Sequence, residues 1–173
     1  MEKYKFIDRP NSERIKATAE EYHDIDENLV LTFLNFQWTY REMQKQYDLL
    51  LGRFNLTESR FIILMFLKRA GVDGLLSSEI SEKLGSSRPT VSKILKAMEE
   101  IELVKKSHST RDKRSSYFKI TDKGSETLKN FIPHNFEAVK TIFGSLNSED
   151  FHKFSHLLDE INKGTIKLQK EME

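Results

Sequence analysis

The stretch SSEISEKLGSSRPTVSKILKAMEEI, residues 77–101, holds two short amphipathic periods separated by one glycine and two serines. In the first, Ile80 and Leu84 lie one helical turn apart. In the second, Val91, Ile94, Leu95, Met98 and Ile101 fall on one face. Ser77 or Ser78 is placed to cap the first helix and Gly85 to end it. Ser87 is placed to cap the second, and Pro89 falls in a first turn, where its missing N–H costs nothing. Two short helices joined by a tight turn predict a helix-turn-helix.

Beyond Leu103 and Val104 the helical period stops. Val104 to Ser107 and Ser116 to Ile120 flank a polar, basic run, and Tyr117, Phe118 and Ile120 favour a strand, which predicts a β-hairpin with a long tip. Upstream, a helix starting at Thr57 carries Phe61, Ile62, Leu64, Met65 and Leu67 inward and ends at Gly71 and Gly74. Before it, Leu29, Phe33, Phe36, Tyr40, Met43, Tyr47, Leu50 and Phe54 recur at steps of three and four. That stripe spans one long helix and needs a partner surface along its whole length, either another long helix or a second subunit. Downstream, Thr121 caps a helix with apolar positions from Leu128 to Leu146. Pro133 should kink or break it, and a last helix runs from about Ser148.

The expected organisation has four parts. Residues 1–27 are a polar extension with at most a short helical piece from Ser12 to Glu21, and residues 28–55 form an N-terminal dimerisation helix. Residues 56–121 are a winged helix-turn-helix, and 122–173 are C-terminal dimerisation helices. The fold class is mainly α with a small β-wing.

The 173 residues carry 28 Lys+Arg, 27 Asp+Glu and no Cys, so disulfides, zinc ribbons, iron–sulfur clusters and thiol redox sensing are excluded. No apolar run approaches a membrane span, and the charged start lacks the core of a signal peptide. A cytoplasmic protein without a membrane partner is expected. The net charge of +1 looks unsuited to nucleic acid until it is located. Between Ser86 and Lys119 stand nine basic residues (Arg88, Lys93, Lys96, Lys105, Lys106, Arg111, Lys113, Arg114, Lys119) and four acidic ones (Glu99, Glu100, Glu102, Asp112). That local +5 leaves the other 139 residues at −4. A groove-sized helix beside a basic hairpin matches the shape and charge of duplex DNA.

The order Leu56-Thr57, Ser87-Arg88-Pro89-Thr90-Val91-Ser92-Lys93, Leu103-Val104, Asp112-Lys113-Arg114 and Ile120-Thr121 followed by Gly124 resembles the MarR family of bacterial transcription regulators. The resemblance implies a homodimer made by the helices at both chain ends, with a recognition helix in each of two major grooves of a palindromic duplex. It also implies repression relieved by a small-molecule effector. By resemblance, Arg114 enters the minor groove and Asp112 holds the wing by pairing with a nearby arginine. Lys113 replaces a frequent Arg, losing the planar fork. Glu102 replaces a usual Gly, so the recognition helix should leave without the residue that adopts a left-handed conformation cheaply.

Candidate groove contacts are therefore Ser87, Arg88, Thr90, Ser92 and Lys93, with Arg111, Asp112, Lys113 and Arg114 in the wing; the plainer reading makes Ser87 a cap and the rest solvated. Phe36, Trp38 and Tyr40 could line an effector pocket or simply belong to the core. His152 and His156, four apart, could hold a metal and make a metal-responsive regulator, but a surface pair is the better reading, and no metal or other cofactor is expected. The other alternative is a winged-helix module whose hairpin binds an acidic protein. No catalytic triad, phosphate-binding loop or paired-carboxylate motif points to an enzyme.

Overall fold

Seven helices and three strands make up the computed structural model, which describes residues 11–22, 26–108 and 116–173. The chain divides into two units, residues 1–57 and 58–173.

In the first unit α1 (Ser12–Tyr22) packs along α2 (Glu27–Gly52), and Ile15 of α1 is buried. Asp26 starts α2 by accepting hydrogen bonds from the N–H groups of Asn28 at 2.9 Å and Leu29 at 3.3 Å. The helix stops at Gly52, two residues short of the expected stripe, and Phe54 lies in the turn that follows. There Asn55 adopts φ 55°, and the Leu56 N–H returns to the Leu51 carbonyl at 3.0 Å. Asn tolerates the left-handed region better than most residues, which lets the chain turn here without glycine. Along α2, Leu29, Phe33, Phe36 and Tyr40 remain exposed.

The second unit is built around one core. Ile63, Leu64 and Leu67 of α3 (Glu58–Ala70), Ile80 of α4 (Ser77–Leu84) and Val91, Leu95 and Met98 of α5 (Arg88–Glu100) are fully buried there. Phe131 of α6 (Asp122–Phe143) closes the core by meeting Phe61 edge to face, with ring centroids 4.9 Å apart. The α4 start differs from the expected serine cap. Leu76 occupies the cap position, and its N–H donates to the Glu79 carboxylate at 2.7 Å, so Ser77 lies inside the helix. The turn beginning at Gly71 is followed by a strand that the sequence reading missed. β1 (Leu75–Leu76) pairs antiparallel with β3 (Ser116–Ile120), which also pairs with β2 (Val104–His108), giving the order β1-β3-β2. Two residues are too few to show a period. Gly74, at φ 71°, sits where any Cβ would collide with the Phe118 carbonyl, which lets β1 approach β3.

Pro133 does not break α6, which runs from 122 to 143 although Pro133 cannot donate a backbone hydrogen bond. Asn147 then starts α7 (Ser148–Met172) with a reciprocal cap, accepting from Glu149 and Asp150 while its own N–H donates to the Asp150 carboxylate at 3.0 Å. No residue of α7 is buried, although Phe151, Phe154, Leu157, Leu158 and Ile161 line it at helical spacing.

The exit of α5 is made without glycine, as the sequence implies. Glu102 does adopt the left-handed conformation, at φ 61°. Its N–H reaches the Glu99 carbonyl at 2.9 Å, and the Leu103 N–H reaches that of Met98 at 2.9 Å, the paired bonds that close a glycine-ended helix. A glutamate held there costs about 1 kcal/mol. We expect Glu102→Gly to raise unfolding free energy by about that amount, read from urea midpoints at unchanged slope; a lower midpoint would show that the side chain outweighs the strain.

Candidate nucleic-acid interface

The turn between α4 and α5 is three residues long. Gly85 is left-handed at φ 61° and its N–H returns to the Glu82 carbonyl at 3.1 Å, while the Ser86 N–H returns to that of Ser81 at 3.1 Å. Ser87 caps α5. Its hydroxyl accepts from the Thr90 N–H at 3.4 Å and shares a 2.8 Å hydrogen bond with the Thr90 hydroxyl. The plainer reading of Ser87 therefore holds locally, since its side chain and that of Thr90 are engaged with each other at the helix start. Each oxygen retains hydrogen-bonding capacity toward a further partner.

With Val91, Leu95 and Met98 turned inward, the opposite face of α5 is fixed by helical geometry. Arg88, Pro89, Thr90, Ser92 and Lys93 are all exposed on the first turns, and Lys96, one turn beyond Lys93 and Ser92, extends the same face. Lys96 lies outside the motif, but its three-residue spacing from Lys93 puts it on that face. Charge then reverses along the helix: Arg88, Lys93 and Lys96 precede Glu99 and Glu100, and the last turn contains no cation. Acidic residues beside the negative end of a helix dipole oppose the usual preference.

The wing root adds a second cationic surface. In the β2–β3 ladder Lys105 stands directly opposite Lys119, while the exposed Lys106, opposite Phe118, is on the other face of the strand. Val104 and Phe118 are buried, so Lys105 and Lys119 project from the other face of the sheet. Like charges directly opposed across strands are unfavourable. Among the described residues none of Arg88, Lys93, Lys96, Lys105, Lys106 and Lys119 makes an ion pair. By contrast, Lys129, Lys153, Lys163 and Lys167 of α6 and α7 each lie within 4.0 Å of a carboxylate about one turn away. Arg111, Asp112, Lys113 and Arg114 lie outside the described residues.

The remaining candidates separate. Phe36 and Tyr40 share an exposed face of α2, while Trp38 is half-buried and about 160–200° around the helix from them, so the three do not line one wall. An open apolar hollow of about 370 Å³ lies elsewhere, at the α6–α7 corner, lined by Val139, Phe143, Leu146 and Phe151. His152 and His156 are exposed on α7, and among the described residues no three His, Asp or Glu side chains gather as a metal-holding group. No described helix is long and apolar enough to cross a membrane.

We expect Ser87→Ala to lower stability by about 1 kcal/mol through loss of the α5 cap, measured by urea unfolding. An unchanged midpoint would mean that the cap contributes nothing to α5.

The MarR family model matches residues 56–116, the span from the start of α3 into the wing. The transcriptional repressor YetL of Bacillus subtilis is 24% identical over 152 residues, covering 88% of this chain and 91% of its own. The regulator MgrA of Staphylococcus aureus is 26% identical over 142 residues, covering 82% and 92%. Among solved structures, AbsC, a MarR family regulator from Streptomyces coelicolor, superposes with a TM-score of 0.72 at 22% identity, covering 84% of this chain and 99% of that one. The S. aureus MepR–DNA complex gives 0.66 at 22% identity, covering 82% and 99%. The matched relatives are regulators of transcription, and residues 56–116, the helix-turn-helix reaching into its wing, match the MarR family of transcription regulators.

Proposed function

We propose that this DNA-binding transcription regulator of the MarR type acts in the cytoplasm as a homodimeric repressor of a palindromic operator, released when a small-molecule effector binds. The observation that carries the DNA reading is the set of cations on the first turns of α5 and on the wing root that make no ion pair among the described residues. Lys93 and Lys96 stand opposite a fully buried apolar face and Arg88 is exposed at the first turn, so the N-terminal half of the helix has one available orientation toward a groove. Arg and Lys at the helix start can reach guanine edges, and Ser92 and Thr90 can reach bases or phosphates. Glu99 and Glu100 repel phosphate, which favours entry by the N-terminal half. In the wing, Arg111, Lys113 and Arg114 supply phosphate or minor-groove contacts, with Asp112 holding the loop.

The homodimer reading rests on the uncovered apolar faces. Phe33 is 56% exposed and Leu157 57% exposed, and α7 has no buried residue at all. Apolar stripes of this extent need a partner surface. A symmetric dimer then presents two copies of α5 and requires half-sites about one helical turn apart. The effector acts by preferring the spacing of the two recognition helices that does not fit DNA, and it shifts affinity only by that preference. The relatives described above carry the names of transcription regulators, which supports a regulatory role.

Selection of bound duplexes from a random pool tests the reading. A two-fold symmetric site is expected, and recovery of no preferred sequence would sink it. With that site in hand, Lys93→Ala or Thr90→Ala should reduce discrimination between operator and random duplex more than Arg114→Ala does. Arg114→Ala should instead flatten the dependence of log K on log salt by about one unit. Equal losses on both duplexes for the α5 variants would contradict base reading.

For the dimer, Leu157→Glu combined with Ile161→Glu should shift the sedimentation coefficient to that of a monomer and abolish two-half-site binding. Unaltered sedimentation would exclude α7 from the interface.

A further inference from the structure

We propose that Thr121 is a positioning residue for DNA reading, one that fastens the exit of the recognition helix to the start of α6 so that α5, the wing root and α6 move as one lever. The proposal rests on α5 being the groove-reading helix.

Capping α6 needs only a side-chain acceptor at residue 121, and the Thr121 hydroxyl does accept the Gly124 N–H at 3.0 Å. Its own proton is then free to go elsewhere. It is directed to the Glu102 carbonyl at 2.6 Å, with the Leu103 carbonyl at 3.1 Å, both on the segment that leaves α5. The Thr121 N–H adds a bond to the Leu103 carbonyl at 3.2 Å. Gly124 completes the seat, because a Cβ there would collide with the same Leu103 carbonyl, so the first turn of α6 rests directly on the exit backbone. Above this seat the Lys123 ammonium lies 3.2 Å from the Glu102 carboxylate.

These contacts converge on two residues, one of which is the left-handed Glu102. The three-point attachment explains how a glutamate is held in a conformation that glycine adopts at less cost: its carbonyl and its carboxylate are both taken up by α6. It also removes the freedom expected of a helix exit. α5 ends at Glu100, and only Ile101 and Glu102 separate it from the clamped Leu103. At the other end α6 runs 22 residues, about 33 Å, to the exposed apolar positions Val139 and Ile142. A shift of those distal residues is thereby carried to the recognition helix instead of being absorbed at its exit.

The test separates capping from fastening. Aspartate is a preferred cap and can accept the Gly124 N–H, but when ionised it has no proton to donate to the Glu102 carbonyl. Serine retains both functions. Because the chain has no Cys, Glu99→Cys and Lys140→Cys, both exposed, give a unique pair of spin-label sites. Labelled chains diluted into unlabelled ones report the α5–α6 distance within one protomer, without DNA.

The expected result is a narrow distance distribution in the parent and in Thr121→Ser and a broadened one in Thr121→Asp, with the melting transition still cooperative. An equally narrow distribution in Thr121→Asp would overturn the fastening. If the aspartate variant does not fold, the near-isosteric Thr121→Val should broaden the distribution and is judged by the same criterion.

Binding provides the second readout. In the unlabelled Thr121→Asp variant, preference for the selected operator over random duplex should fall about tenfold, the scale of one lost base-pair preference, and Thr121→Ser should restore it. A broadened distribution with unchanged preference would overturn the positioning role. Absence of any preferred duplex for the parent chain would instead be a failure of the DNA reading, leaving the fastening to be decided by the distances alone.

Discussion

Burial of one stripe of α5 is the constraint from which the interface follows. Val91, Leu95 and Met98 have no solvent exposure, and rotating the helix about its axis would bring them into water. Burying side chains of this size stabilises by roughly 1.5–3 kcal/mol each, whereas the exposed Lys93 and Lys96 lose little in any orientation that leaves them solvated. The core therefore sets the direction of the recognition surface. Helix cap, turn glycine and wing then position a face whose orientation apolar packing has already decided.

The polar residues of the same unit follow a different rule. Exposed ion pairs on α6 and α7 are worth little individually, but they leave those faces locally balanced. Among the described residues, the cations of the recognition helix and the wing root have no such partners. Lys105 opposite Lys119, and two glutamates at the wrong end of a helix dipole, are arrangements that folding alone would not favour. Local penalties of a few tenths to about 1 kcal/mol are tolerable in a domain whose core is complete, and a phosphate backbone would convert the lysine repulsion into attraction. The near-neutral total charge conceals this because the +5 segment is offset elsewhere in the chain.

Long periods were legible in the sequence, and so was the recognition helix with its Ser87 cap, because an eleven-residue window of apolar spacing outweighs local exceptions. What escaped had little sequence to show itself. β1 is two residues long and exists only because β3 supplies its partner. The cap of α4 was assigned to serine on propensity, yet Glu79 reached back and took the Leu76 N–H. Glu102 was the most informative deviation. The absence of glycine left the exit geometry undecided, and contacts from residues 19 and 21 positions later hold Glu102 in the left-handed conformation, a separation that no local pattern encodes. Phe36 and Tyr40 lie about half a helical turn from Trp38 on α2, so nearness in sequence does not by itself put the three on one face. Lys96 was missed through adherence to a motif where the helical period alone was sufficient.

In the proposed homodimer, the exposed apolar length of α7 and the recognition helix serve one purpose. A single winged helix covers few base pairs and has modest discrimination, while two copies on one symmetric site multiply the contacts and make their spacing part of the recognition. That gain requires the two copies of α5 to be held rigidly relative to each other. The long uncovered stripe supplies surface for the hold, and the attachment of α6 to the α5 exit supplies rigidity within each protomer. The same rigidity makes regulation possible, since a flexible exit would dissipate any change imposed on the distal helices. Tight fastening at Glu102 and Leu103 and loose covering along α7 are thus complementary: the first transmits a displacement, and the second is where a symmetric partner can impose one.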